Sequence, residues 1–264
     1  MRKVCLFVAL SLVLAVPSFA EDPGKGEPSV PNPGAPEATG GPDGFGYQFI
    51  DNNETTGLPP TYSLVDISTT GTALGIGDDE ETNVTLPFAF PFYGVGTNMI
   101  RVGNNGGLLV GVTTGDLWAG NTCPQPVTSP DAPLIMAFWD DMDDETGNVY
   151  WQAFNPCPHP DCDSQCAVFE WYDRPHYSNT GSATFEAILC DNGDILFQYA
   201  DVVFGDPANM DNGFSATVGI EDEGQNAAYF LPYSCNQAVI TDGLAIKYTL
   251  GPIIPVELQS FNID

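Results

Sequence analysis

Short runs of aromatic and β-branched residues recur along the chain from Phe45 onward, and each run is closed by Gly, Asn, Asp or Pro. Such runs between turn-forming residues are typical of β-strands. No window combines a sustained helical period with helix-capping residues, so the pattern predicts an all-β fold. The predicted strands are Tyr47–Ile50, Ser63–Asp66, Asn83–Phe88, Met99–Val102, Leu108–Val112, Leu134–Phe138, Val149–Phe154, Ala167–Tyr172, Ala183–Cys190, Ile195–Tyr199, Ala216–Ile220 and Leu244–Tyr248.

Two of these runs indicate how the strands are layered. Residues 134–139 are apolar at every position, which predicts a central strand covered on both faces. Residues 182–189 alternate, which predicts a half-buried strand with one apolar side formed by Ala183, Phe185, Ala187 and Leu189. Asn192-Gly193 predicts a hairpin turn after that strand. Strands of both kinds close into one core in an antiparallel two-sheet β-sandwich, which is the fold class we expect.

The N-terminus has the layout of a secretory signal peptide. Two basic residues precede an apolar run, Val4–Val16, and small residues at Ser18 and Ala20 mark a cleavage site. The run of about 13 residues is shorter than the roughly 20 needed to cross a bilayer. We therefore expect residues 1–20 to be removed, and the product to be extracellular or held at a cell surface without membrane insertion.

The rest of the chain divides by composition. Residues 21–44 are rich in Pro, Gly and Glu and nearly lack large apolar side chains, which predicts a flexible linker. Residues 45–250 are expected to form the β-sandwich domain. Residues 251–264 are expected to form a C-terminal tail, with an extra strand as the alternative.

The charge balance narrows the range of partners. The chain has 35 acidic and 6 basic residues, for a formal net charge of −29. Loss of the signal peptide would leave four basic residues, Lys25, Arg101, Arg174 and Lys247. Such a surface repels nucleic acid and anionic lipid and attracts cations. An extracellular protein or glycan is the expected partner, and the sequence does not decide the oligomeric state.

The cysteines predict disulfide-stapled loops. Cys5 lies in the signal peptide, and an even number of cysteines in an exported chain indicates disulfides. The six that remain are Cys123, Cys157, Cys162, Cys166, Cys190 and Cys235. Their pairing is open at this point. Three of them, together with His159, crowd residues 157–166, so a zinc knuckle is the alternative.

A cluster of carboxylates directly after the predicted central strand is the candidate metal site. It consists of Asp140, Asp141, Asp143 and Asp144. Calcium takes about six to eight oxygen ligands, so dense carboxylates on a loop suit it. The spacing does not fit an EF-hand, and the nearest basic residues in sequence, Arg101 and Arg174, are distant. The sequence predicts a calcium site, with a solvated acidic loop as the alternative.

Three motifs point to a family. They are Leu-Pro-Phe-Ala-Phe-Pro-Phe-Tyr-Gly at 86–94, Val-Gly-Asn-Asn-Gly at 102–106, and Ala-Pro-Leu-Ile-Met-Ala-Phe-Trp-Asp-Asp-Met-Asp at 132–143. In this order they resemble segments of nidogen-like (NIDO-type) extracellular β domains, which also occur in bacterial secreted and surface proteins. The resemblance implies an extracellular β-sandwich used in adhesion or matrix assembly, and no catalysis.

Three functions compete on this basis. The first is a non-catalytic adhesion or surface-assembly module. The second is a glycan- or peptide-binding accessory module of a secreted hydrolase system, with Trp118, Trp151 or Tyr172 as its platform. The third is a secreted hydrolase that uses a carboxylate pair. The two histidines, His159 and His176, lie in no nucleophile or phosphate-loop motif, so we expect no enzymatic activity.

Overall fold

The computed structural model describes residues 38–117, 121, 133–177, 181–222 and 227–253. Within these ranges the chain forms strands and two short 3-10 turns, Asp211–Gly213 and Ala227–Tyr229. The strands are β1 (Thr39–Gly40), β2 (Gln48–Asp51), β3 (Thr72–Ala73), β4 (Glu81–Phe92), β5 (Val95–Gly103), β6 (Gly107–Val110), β7 (Leu134–Trp139), β8 (Asn148–Phe154), β9 (Cys166–Pro175), β10 (Ser182–Cys190), β11 (Ile195–Asp201), β12 (Thr217–Glu221), β13 (Phe230–Cys235) and β14 (Ala245–Thr249).

The strands form two antiparallel sheets. The eight-stranded sheet has the order β1-β2-β14-β11-β10-β9-β8-β3, and the six-stranded sheet has the order β13-β12-β7-β6-β5-β4. Apolar side chains from the facing sides of both sheets make one core. The predicted two-sheet sandwich is confirmed.

Strand β4 shows how the sequence sets this packing. Val84, Leu86, Phe88, Phe90 and Phe92 alternate with exposed residues and enter the core. The strand lies at an edge of its sheet and carries two prolines, at positions 87 and 91, which have no N–H to offer a further strand.

Two buried hydrogen bonds join the sheets. The hydroxyl of Tyr199 on β11 donates to the carbonyl of Ala137 on β7, at 2.6 Å. The indole Nε1 of Trp171 on β9 donates to the carbonyl of Gly103 at the end of β5, at 3.0 Å. A buried Tyr or Trp needs such a partner for its polar atom. Both bonds therefore fix the offset of one sheet on the other.

Both outer faces are also partly covered. Strand β7 is buried at all six positions, as predicted, and its residues Leu134, Met136 and Trp139 pack with Leu109 and Leu117 in a second apolar cluster. Strand β10 differs from the prediction. Its outward residues Glu186 and Ile188 are buried as well, so the strand is covered on both faces rather than half buried.

The cover over β10 is the segment that was predicted to be the strand Ser63–Asp66. Residues 61–70, hereafter the strap, join no sheet. They cross the outer face of the eight-stranded sheet between β2 on one side and β3 on the other. Their backbone N–H groups are bonded by side chains of the sheet, such as Glu186, rather than by a neighbouring strand. The strand prediction was wrong because local composition does not show what a segment pairs with.

Disulfides cross-link one end of the outer face of the eight-stranded sheet. Cys157 is bonded to Cys166, and Cys162 is bonded to Cys190. Cys235 is also disulfide-bonded, and Cys123 lies outside the described residues. The sulfur atoms of Cys157, Cys162 and Cys166 lie within 4.8 Å of one another. They are held in S–S bonds, so the zinc knuckle does not match the structure.

The limits of the domain differ from those expected. Thr39 and Gly40 pair with β2, and one carboxylate oxygen of Asp43 accepts the N–H groups of residues 45–47. The sheet thus begins inside the span that was predicted to be a linker. Residues 1–37 and 254–264 lie outside the described residues, and with them the predicted signal peptide and most of the predicted tail. No helix in the described ranges is long and apolar enough to cross a membrane.

Candidate functional site

Two acidic loops meet at one end of the sandwich, hereafter the acidic end. Residues 77–80 lead into β4, and residues 140–147 connect β7 to β8. The carboxylates of Asp78, Asp79 and Asp141 lie within 4.8 Å of one another. Asp78 is exposed, Asp79 is half-buried and Asp141 is buried. The first loop was not part of the predicted site, although its run Asp78-Asp79-Glu80-Glu81 is visible in the sequence.

The four predicted ligands are not brought together. Asp140 points inward: its Oδ1 accepts the N–H of Asp141 at 2.9 Å, and its Oδ2 accepts the hydroxyl of Ser215 at 2.6 Å. The Oδ1 of Asp143 accepts the N–H of Asp144 at 2.6 Å on the exposed part of the loop. Of the predicted set, Asp141 alone belongs to the carboxylate group within 4.8 Å.

The turn between β5 and β6 supports the acidic end. The side chain of Asn105 donates to Oδ1 of Asp79 at 2.7 Å and accepts the N–H of Met142 at 2.9 Å. Asn104 donates to the carbonyl of Met142 at 2.5 Å. Gly106 has φ 77°, and a Cβ there would lie 1.9 Å from the carbonyl oxygen of Phe138. The motif Val-Gly-Asn-Asn-Gly therefore holds both acidic loops in place.

Arg174 supplies positive charge beneath these loops. It lies on β9, is 2% exposed, and donates to the side chain of Asn104 and to the carbonyls of Thr146 and Ile76. Burial lowers the pKa of its guanidinium, and the carboxylates of the acidic loops act against this. The expectation that no basic residue is local was wrong. Arg174 is distant in sequence but adjacent in space, because β9 runs next to β8.

Comparison with known families identifies the domain. A family model described as "NIDO related" matches residues 52–249. The chain belongs to the NIDO-related family. The match runs from the end of β2 to the end of β14 and includes the Val-Gly-Asn-Asn-Gly turn and both acidic loops. A search of curated proteins and a search of solved structures found no match.

Membership of the NIDO-related family confirms the resemblance to nidogen-like domains. The family indicates an extracellular domain, and the disulfides are compatible with that location. The segments that carry the resemblance form parts of the scaffold in this chain. The aromatic run of β4 fills the core, and the Asn-Asn turn supports the acidic loops.

Both histidines of this NIDO-related domain are buried. His176 has its Nε2 3.5 Å from Oδ1 of Asp140, and its ring packs against Tyr177 and Phe204. His159 lies in the disulfide loop, where its Nδ1 accepts the N–H of Asp161 at 3.2 Å. Burial lowers the pKa of His159. Both rings are used in packing and loop structure.

The aromatic residues proposed as a platform lie in different surroundings. Tyr172 on β9 is 39% exposed, and its ring meets that of Tyr150 on β8 edge-on, with centroids 6.4 Å apart. Trp151 stacks on Phe169 at 6.4 Å and packs against the main core. Trp118 lies outside the described residues. Of the predicted platform residues, Tyr172 therefore has an exposed ring, and Tyr150, which was not predicted, lies beside it on the outer face of the eight-stranded sheet.

Proposed function

We propose that this chain is a non-catalytic extracellular module for adhesion or for surface or matrix assembly, and that calcium at its acidic end stabilises it. The observation that carries this proposal is the convergence of Asp78, Asp79 and Asp141 from two loops. The two loops are separated by strands β4 to β7 in the sequence, so they meet only in the folded domain.

Calcium fits the chemistry of this convergence. It is a hard cation that takes oxygen ligands, including carboxylates and waters. Three carboxylates within 4.8 Å of one another repel unless a cation screens them. Arg174 supplies a single positive charge, and Asp144, Asp143 and Asp78 share it. A divalent ion would offset the remaining charge and tie the loop before β4 to the loop after β7.

The edges of both sheets favour assembly through loops and faces rather than through strand addition. The eight-stranded sheet ends in β1 and β3, which have two residues each. The six-stranded sheet ends in β4 and β13, and these strands contain Pro87, Pro91 and Pro232. Short or proline-containing edge strands obstruct pairing with another chain. A partner would therefore engage surfaces such as the acidic end.

Binding to the cell's own envelope and surrounding matrix tests the function. We expect the purified exported protein to bind in millimolar calcium and to be released by a chelator at matched ionic strength. The double variant D78N/D79N should lose the calcium-dependent part of the binding. The variant D163N/D201N removes the same charge at two exposed positions outside the acidic end, and it should bind like the wild type.

Two results would contradict the proposal. Binding that is unaffected by chelator and by D78N/D79N would exclude the acidic end. If the protein bound neither the cell envelope nor the surrounding matrix under any of these conditions, a role in adhesion or assembly at these surfaces would be excluded.

The second candidate is a glycan-binding accessory module, which the Tyr150–Tyr172 pair favours. Tyr172 is exposed on the sheet face and Tyr150 meets its ring edge-on, so the ring of Tyr172 offers a face on which a sugar ring would stack. In the same assay, binding that is insensitive to calcium but lost in Y150A/Y172A would support this candidate over the first.

A further inference from the structure

The strap is held to the eight-stranded sheet by one side chain from each of three successive strands. The N–H of Ser63 is accepted by Gln198 on β11 at 2.9 Å, and the N–H of Val65 is accepted by both oxygens of Glu186 on β10 at 3.0 and 3.2 Å. The N–H of Ile67 is accepted by Glu170 on β9 at 2.9 Å. Alternate residues of the strap thus bond to adjacent strands.

The three acceptors form one row across the sheet. Gln198 pairs directly with Glu186, and Glu186 pairs directly with Glu170. Residues directly opposite on neighbouring antiparallel strands have Cβ atoms about 5 Å apart and their side chains on the same face. All three side chains are fully buried. Two glutamates therefore lie side by side under the strap.

The strap is what buries this pair. Ile67 packs on Val168, Ile188 and Leu196 in an apolar cluster on the outer face, and Val65 packs against the same cluster.

Within the described residues neither glutamate forms an ion pair. The titratable groups around the row are Tyr62 and Asp66 on the strap, His159 and Asp161 in the disulfide loop, Tyr150 on β8, Tyr172 on β9, and Lys247 on β14.

None of these groups neutralises the pair. Lys247 is bonded to Asp194 at 2.8 Å, and Asp66 adds negative charge. Burial raises the pKa of Glu186 to about 8 and that of Glu170 to about 7, although the N–H groups of the strap act in the opposite direction. The negative charge of Glu170 further raises the pKa of Glu186.

We propose that Glu170 and Glu186 form a pH-dependent latch: the strap lies closed on the sheet while the two carboxyls are uncharged, and it lifts when they ionise. Two adjacent negative charges cannot stay dry without a counter-ion. Lifting the strap admits water to them and exposes the apolar cluster of Val168, Ile188 and Leu196. This inference does not depend on the calcium site.

The direction of the pH effect follows from linkage. Each glutamate has a higher pKa under the closed strap than in water, so closure takes up protons. Closure is most favourable below the ordinary glutamate pKa of about 4.3. It weakens as the pH rises, and the contribution is lost once the pH passes the closed-state values near 7 and 8.

Hydrogen exchange of the full exported protein measures the latch directly. After correction for intrinsic exchange, we expect protection of the Val65 and Ile67 amides to fall at least about tenfold between roughly pH 6 and pH 9. The amides of β7 should stay protected, because the sandwich itself remains folded. In E170Q/E186Q, which keeps an acceptor oxygen at each position but removes both titrating groups, the strap amides should show no such fall. The control E145Q, at an exposed glutamate, should behave like the wild type.

The latch is refuted if the wild-type strap keeps constant protection over this range, or if E170Q/E186Q loses protection as the wild type does. Should the double variant not fold, carbon NMR of the wild-type carboxyls decides. A titration midpoint above about pH 6 for at least one of the two glutamates, matching the opening of the strap, supports the latch. Midpoints below that value for both would overturn it.

Discussion

The guanidinium of Arg174 donates a hydrogen bond to the side-chain oxygen of Asn104. This bond joins β9 of the eight-stranded sheet to the β5–β6 turn of the six-stranded sheet, directly beneath the acidic end. It places one of the few basic residues of the chain where carboxylates are densest. Arg174 therefore offsets part of the negative charge of the acidic loops, and their stability should depend on this arginine.

Replacement of Arg174 by Met should destabilise the domain by about 3 kcal/mol, because two buried acceptors and the half-buried carbonyl of Thr146 lose their donor, and the acidic loops lose their counter-charge. Chemical denaturation measures this loss. The control Lys247→Met removes a single ion-pair bond, 2.8 Å long, to Asp194, which keeps a hydrogen bond from Asn192, and should cost about 1 kcal/mol. Equal losses for both variants would contradict a special role of Arg174.

The substitution Gly106→Ala should destabilise the domain by about 3 kcal/mol or more, because the new Cβ would meet the carbonyl oxygen of Phe138 and the backbone has a positive φ. Gly243→Ala is the matched control: its φ is 80°, but a Cβ there meets no atom within 4 Å. It isolates the backbone strain, which costs about 1 kcal/mol. Similar losses in denaturant melts would show that the close approach to Phe138 is unimportant.

Calcium should raise the melting temperature by several degrees relative to chelator at matched ionic strength. An ion at 100 times its dissociation constant stabilises a fold by about 2.7 kcal/mol. D79N/D141N should abolish the difference, since both residues belong to the convergent group. D143N/D144N should retain it, since these carboxylates lie outside that group. If D143N/D144N instead abolished the difference and D79N/D141N retained it, the site would consist of the ligands predicted from sequence. If the wild type melted at the same temperature with calcium and with chelator, the loops would be acidic and solvated without a bound ion.

Peptide mapping without reduction should recover Cys157–Cys166 and Cys162–Cys190. By the count of six cysteines, we expect the third pair to be Cys123 with Cys235. Reduction should lower the melting temperature, because closing a loop of 28 residues contributes roughly 3 to 4 kcal/mol in the chain-entropy model. Detection of two or more free thiols, or of stoichiometric zinc, would argue against three disulfides.

Mass spectrometry of the exported protein should find Glu21 at the N-terminus, because Ser18 and Ala20 are the small residues that a signal peptidase requires. Exported material that still begins at Met1 would disprove the assigned signal peptide.

The sequence determined the class of fold and most of its strands. The period of a strand is a property of its own pleat, so continuous apolarity in 134–139 predicts that this strand is buried on both faces without knowledge of its partners. The hairpin at Asn192-Gly193 is equally local, and the structure confirms it: β10 pairs with β11, and Gly193 has φ 94°. The family motifs were readable for the same reason, since each is a contiguous stretch.

Only the tertiary structure decided what covers each face and which charges meet. Val65 and Glu186 are 121 residues apart in sequence, and no pattern in either segment shows that one covers the other. The strap was therefore mistaken for a strand, and β10 for a half-buried one. Asp79 and Asp141 likewise meet because β4 begins and β7 ends at the same side of the sandwich. Arg174 lies near them because β9 is the neighbour of β8 in the eight-stranded sheet. Such contacts depend on topology, which fixes long-range neighbours that local composition leaves undetermined.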